Sequence, residues 1–155
     1  ICGGGQESGL RSGTENVPAI AGFGEAAKLA GPRSFPARDY LKERIAAEIE
    51  DIRFNSPQDG CSSVLNVSFI GCRAEVLLHQ LEQDEIFVST GSACSSKDKG
   101  SHVLSAMGLT KEQIEGAVRF SFSEENTIEQ MDTVMERLKY YVQSQRALRK
   151  AFKKR

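Results

Sequence analysis

No Cys-x-x-Cys pair occurs in the 155 residues: the four cysteines stand at positions 2, 61, 72 and 94, and the two histidines, His79 and His102, are not spaced as metal ligands near any of them. This argues against both a zinc site and a disulfide framework. No apolar run approaches the roughly 20 residues needed to cross a bilayer, and no charged start followed by an apolar stretch marks an export signal. Neither sign of charge dominates. With 20 basic and 21 acidic residues the net charge is −1, so no global field draws the chain to nucleic acid or to an anionic membrane. A Gly-x-x-x-x-Gly-Lys-Ser/Thr phosphate loop is missing, and no strand precedes the opening glycines as a dinucleotide fold would require. An initiator Met is missing too. The chain starts at Ile1 and runs straight into Gly3-Gly4-Gly5, which reads as the middle of a loop and hence as a fragment.

What is there, 39% hydrophobic and 26% charged residues, fits one globular domain with a modest core, read as cytoplasmic, whose partners are recognised locally. Arg11-Ser12-Gly13-Thr14-Glu15-Asn16-Val17-Pro18 combines capping residues with a proline tolerated in a first turn, and predicts a helix from there to about Ala30. Gly31-Pro32 breaks it. Leu41, Ile45, Ile49 and Ile52 then recur at helical spacing in a second helix ending near Asp51. Residues 64–70 alternate as a strand, with Leu65, Val67 and Phe69 on one face and Asn66 and Ser68 on the other. Ala74, Leu77, Leu78 and Leu81 mark a helix, 86–88 a short strand, and Ser101-His102 the start of a short helix ending near Gly108. Val118, Phe120 and Phe122 alternate with Arg119, Ser121 and Ser123 in a further strand. Ile128, Met131, Met135, Leu138 and Val142 form the stripe of a long last helix. Helices segregated onto one face of a small sheet make an α/β or α+β layer.

Three residues stand out chemically. Cys94 lies in Ser89-Thr90-Gly91-Ser92-Ala93-Cys94-Ser95-Ser96, where no neighbour could bury a thiol, so it is either an inert exposed thiol or a mobile nucleophile. Lys97 and Lys99 would favour its thiolate, or are merely solvated. Arg119 projects from the polar side of its strand, as a surface ion pair or as a bidentate clamp on a carboxylate. Thr14, at a helix start below a Gly-rich turn, either caps that helix or binds a phosphate. Neither His79 nor His102 reads as a general base. The basic tail, with Arg146, Arg149, Lys150, Lys153, Lys154 and Arg155, reads as a solvated, fraying helix end rather than an RNA-binding arm, because no aromatics interleave the charges.

Together, Gly3-Gly4-Gly5-Gln6-Glu7 with Arg11-Ser12-Gly13-Thr14, Leu65-Asn66-Val67-Ser68-Phe69, the Cys94 segment, Ser101-His102-Val103-Leu104 and Val118-Arg119-Phe120-Ser121 resemble, in order and over nearly the whole chain, the C-terminal part of a group I cysteine desulfurase of the class V aminotransferase family. The resemblance implies an α/β fold, the small C-terminal domain of a fold-type I enzyme dependent on pyridoxal 5'-phosphate. It divides the chain into a linker and connecting helix over 1–31 and a small domain over 32–155. It further implies that Cys94 takes sulfur from cofactor-bound L-cysteine as a persulfide, leaving L-alanine, that Arg119 holds the substrate carboxylate, and that Thr14 meets the cofactor phosphate in the partner subunit of a homodimer. The sulfur would pass to an iron–sulfur scaffold or another acceptor protein, or into tRNA thiolation. Membrane and nucleic acid are not expected partners. Selenocysteine lyases share the motifs, and a non-catalytic sulfur-relay module is a further alternative. The family's cofactor-binding lysine lies upstream of the Gly-Gly-Gly-Gln segment, and none of Lys28, Lys42, Lys97, Lys99 or Lys111 sits in comparable surroundings, so the chain alone is expected to be inactive. Gly100 stands where a proline is common, and Ser123-Glu124-Glu125-Asn126 where a Leu-Gly-Arg-like turn is frequent.

Overall fold

The computed structural model describes residues 2–30, 34–90 and 101–153. The chain divides into two units, 1–33 and 34–155. In the first, a short 3₁₀ turn (Gln6–Gly9) precedes helix α1 (Val17–Leu29). Proline at the start of α1 costs no hydrogen bond, and the Asn16 side chain caps it by accepting from the Ala19 amide at 3.1 Å. The cap expected of the Thr14 region is therefore Asn16.

The second unit runs α2 (Pro36–Glu48), β1 (Ile52–Phe54), β2 (Val64–Phe69), α3 (Ala74–Glu82), β3 (Ser89–Thr90), α4 (His102–Ala106), α5 (Lys111–Glu115), β4 (Ala117–Ser121) and α6 (Ile128–Lys153). The four strands form one antiparallel sheet in the order β1-β2-β4-β3. Leu65 lies opposite Phe120 and Val67 opposite Val118, so the apolar alternation of both strands faces one side. Onto that face pack Leu41 and Ile45 of α2, Leu77 and Leu81 of α3, and Met135, Leu138 and Val142 of α6, all buried. Each such side chain contributes about 1.5–3 kcal/mol. The arrangement is mixed α/β, as expected. The opposite face is not left bare, however: Leu104, Leu109 and Ile114 cluster on Ala117 and bring α4 and α5 over one end of it. Gly116, between α5 and β4, lets the backbone close on the end of β2, where the Phe69 amide donates to the Gly116 carbonyl at 2.9 Å and a Cβ at Gly116 would collide with the Phe69 carbonyl oxygen.

Three expectations change. Ile52, counted in the stripe of the second helix, opens β1 instead. The helix stops at Glu48, Ile49 turns extended, and Asp51 takes a left-handed φ of 50°, which redirects the chain. Residues 86–88 form no strand, because the amides of Asp84 and Ile86 bond back to the Leu81 carbonyl, and the chain spends this stretch closing α3. Pairing begins only at Ser89. The basic tail does not fray at its start: α6 continues to Lys153, and the Arg146 guanidinium donates to the carbonyls of Ile70, Glu50 and Asp51 at 2.9, 3.0 and 2.9 Å. No helix of the described residues is long and apolar enough to cross a membrane.

Candidate functional site

The strand register assembles a polar row on the sheet face away from α2 and α6. Arg119 of β4 lies opposite Asn66 of β2 on one side and Ser89 of β3 on the other, and the Asn55 amide donates to the Asn66 carbonyl at 2.8 Å, continuing the row beyond β1. Side chains directly opposite in such pairs stand with Cβ atoms about 4.5–5.5 Å apart. Buried Val118 and Phe120 anchor the strand on either side of Arg119, which is exposed. Ala117 and Ser68 are covered at the α4–α5 end, whereas Arg119 and Ser121 stay open to solvent. Among the described residues no carboxylate pairs with the Arg119 guanidinium and no hydrogen bond engages it; the structure supplies no partner for the surface ion pair that the sequence left open.

Asn55 organises the other half of the row. It is 7% exposed, and its Nδ2 donates to Asn66 Oδ1 at 2.7 Å and to the buried Ser68 Oγ at 2.8 Å. Alternation revealed Asn66 and Ser68 as a polar face. Asn55 gave no such signal, because β1 is only three residues long and the sequence places its start in a helix.

In the 1–33 unit, Thr14 is exposed and its hydroxyl makes no hydrogen bond among the described residues. Its loop is nevertheless shaped. Arg11 Nη1 donates to the carbonyls of Gly13 and Thr14 at 2.7 and 3.2 Å, Ser12 Oγ to the Cys2 carbonyl at 3.0 Å, and the Gly13 amide to Gln6 Oε1 at 3.3 Å. Gly13 holds φ of 100°, where any side chain would strain the backbone. An exposed hydroxyl on a loop shaped this way fits a phosphate oxygen. Of the lysines considered in the sequence, Lys28 pairs with Glu25 at 2.7 Å, Lys111 with Glu115 at 3.7 Å, and Lys42 lies 5.8 Å from the Phe54 ring centre.

Cys94 lies outside the described residues, as do Lys97 and Lys99; β3 ends at Thr90, four positions before that cysteine. His102 is the first residue of α4, capped by Ser101, and His79 rests its Nδ1 3.2 Å from Glu82 Oε2 on an exposed helix face. Of the described thiols, Cys61 is exposed and its hydrogen bond with Ser63 Oγ at 3.1 Å holds its pKa below the ordinary value, whereas burial pushes Cys72 up.

A family model described as aminotransferase class-V matches residues 4–134. The chain is 39% identical over 140 residues to a cysteine desulfurase of Bradyrhizobium diazoefficiens, covering 85% of this chain and 36% of that protein. It is 38% identical over 159 residues to the cysteine desulfurase IscS of Clostridium botulinum, with 96% and 40% covered. A solved NifS-like protein superposes with a TM-score of 0.65 at 31% identity, covering 92% of this chain and 38% of that one. The chain thus spans well under half the length of the proteins it matches.

Proposed function

The chain belongs to the aminotransferase class-V family, and from that premise we propose that it is the C-terminal part of a pyridoxal-phosphate-dependent cysteine desulfurase. The longer protein takes sulfur from L-cysteine, leaves L-alanine, and carries the sulfur as a persulfide on Cys94 to an acceptor protein serving iron–sulfur cluster assembly or tRNA thiolation. One observation carries the reading: a guanidinium without an acidic partner among the described residues stands on an open sheet face, one strand from the chain that leads directly into Cys94.

Arg119 grips the substrate carboxylate through its fork of donors, each charged hydrogen bond contributing about 1.5–3 kcal/mol. Two parallel bonds fix orientation as well as position, and so aim the Cβ–S bond of the substrate. Thr14 gives its hydroxyl to the cofactor phosphate across the interface of a homodimer. Pyridoxal phosphate, when bound, supplies an electron sink at the substrate's α-carbon. The Cys94 thiolate attacks the substrate sulfur: an S–S bond forms, the Cβ–S bond breaks, and a proton on that carbon completes the methyl group of alanine. Lys97 and Lys99, close in sequence, favour the thiolate by their charge.

The full-length protein, purified with its cofactor and given L-cysteine, is expected to release alanine and sulfide in equal amounts when a reductant is present. Alanine without protein-bound or released sulfur, or no turnover at all, would refute the assignment.

A further inference from the structure

The polar row holds more donors than Arg119 alone. Asn66 has its Oδ1 taken by Asn55 Nδ2 at 2.7 Å, its backbone amide taken by Ser56 Oγ at 2.8 Å and its carbonyl by the Asn55 amide at 2.8 Å. What is left is its side-chain NH₂, two N–H donors with no acceptor among the described residues, on a half-buried side chain directly opposite the guanidinium. With Asn55 Nδ2 donating to Asn66 Oδ1 and Ser68 Oγ, the nitrogen of Asn66 turns away from Asn55, while Asn55 Oδ1 is left buried without a hydrogen-bond partner among the described residues. The other polar members of the face are Ser68, Ser89, Ser121 and Arg53, whose guanidinium donates to Gln113 Oε1 at 3.3 Å, and no acid contributes from β1 to β4. A face with two guanidinium groups, of which Arg119 has an amide donor directly opposite it, and no acid from its strands is suited to receive an anion.

Resting on the reading of Arg119 given above, we infer that Asn66 is a second carboxylate-binding residue for the amino-acid substrate, and that Asn55 is the residue that positions it. The amide adds a directional hydrogen bond without adding charge, so it discriminates a planar carboxylate from other anions more than it raises attraction. Its orientation is set before the ligand arrives, because Asn55 is itself tied to buried Ser68.

The test uses the full-length protein with its cofactor and two thiols, 3-mercaptopropionate, which has the carboxylate, and cysteamine, which does not, with binding measured by calorimetry. Asn66→Asp keeps the oxygen that Asn55 needs and replaces the donors with an acceptor. It is expected to weaken 3-mercaptopropionate by about tenfold or more and to leave cysteamine within about twofold. Asn66→Ala should weaken 3-mercaptopropionate too, and Asn55→Ala by a smaller factor of the same sign, with KM for L-cysteine rising in parallel and kcat changing less. Unchanged 3-mercaptopropionate affinity in both Asn66 variants overturns the inference, and so does an equal loss for both thiols, which would mark a merely structural role. A wild type that binds 3-mercaptopropionate through Asn66 but never turns over L-cysteine counts against the proposed activity and not against this site.

Discussion

Arg119 shows how a single residue can be read at two depths. Alternation places it on the polar face of its strand, and the register adds that its neighbours are an amide and hydroxyls rather than a carboxylate. Arg119→Ala in the full-length protein is therefore expected to raise KM for L-cysteine about 10- to 100-fold, with a smaller change in kcat, and to leave the melting temperature nearly unchanged because the side chain is exposed. Arg119→Lys should not restore it, since a point charge lacks the bidentate fork. An unchanged KM in steady-state assays would return Arg119 to a solvated surface charge. Cys72 gives a prediction of another kind. Burial keeps its thiol protonated in the folded chain at a pH where the unfolded chain releases the proton. Its contribution to stability is complete below the ordinary thiol value of about 9 and declines as pH rises through that value toward the folded one. Tyr141, raised by its hydrogen bond to Asp84 at 2.6 Å, adds a loss of the same sign at higher pH. Urea midpoints measured from neutral pH upward should fall across the alkaline limb, and Cys72→Ala should flatten the earlier part of that fall; an identical slope in the variant would contradict the assignment.

Among the elements, α6 does more than its apolar stripe declares. One edge fills the core through Met135, Leu138 and Val142, while Arg146 reaches three carbonyls that flank β1 and follow β2. The turn they belong to includes Asp51 in the left-handed region, a conformation that needs outside support. Arg146→Ala is expected to cost about 1–3 kcal/mol in chemical denaturation, with Arg146→Lys recovering little of it, because one ammonium cannot serve three carbonyls in this geometry. A cost near zero would mean that water replaces the guanidinium without loss. This contact was illegible in the sequence: it spans more than 70 positions, and a basic residue near a helix end looks the same whether solvated or clamped. The elements that were legible, β2, α3, β4 and the first turns of α6, are those long enough for a period to repeat. β1 has three residues and β3 two, too short for alternation to show, and Ile52 fell by coincidence into the stripe of Leu41, Ile45 and Ile49. The candidate site followed the same rule, with Arg119 and Asn66 visible by alternation and Asn55 hidden with its strand.

For the whole molecule, both clusters of buried apolar side chains lie within 34–155, whereas in the 1–33 unit α1 buries none of its residues and exposes Val17, Ile20, Phe23 and Leu29. The buried core thus belongs to the sheet and its helices, the unit that carries Arg119, Asn66 and the strand preceding the Cys94 segment. Homologues of the family that matches this chain are cysteine desulfurases about two and a half times as long, in keeping with 36–40% of their length being covered. The proposed activity puts the greatest demand on the one side chain assigned to carry sulfur. The most direct measurement is mass spectrometry of the full-length protein after exposure to L-cysteine, wild type beside Cys94→Ala. The account predicts one added sulfur on the wild-type peptide that contains Cys94, and in the variant no added sulfur and no alanine, with the cofactor's absorbance intact. Sulfur and alanine still produced by Cys94→Ala would contradict it.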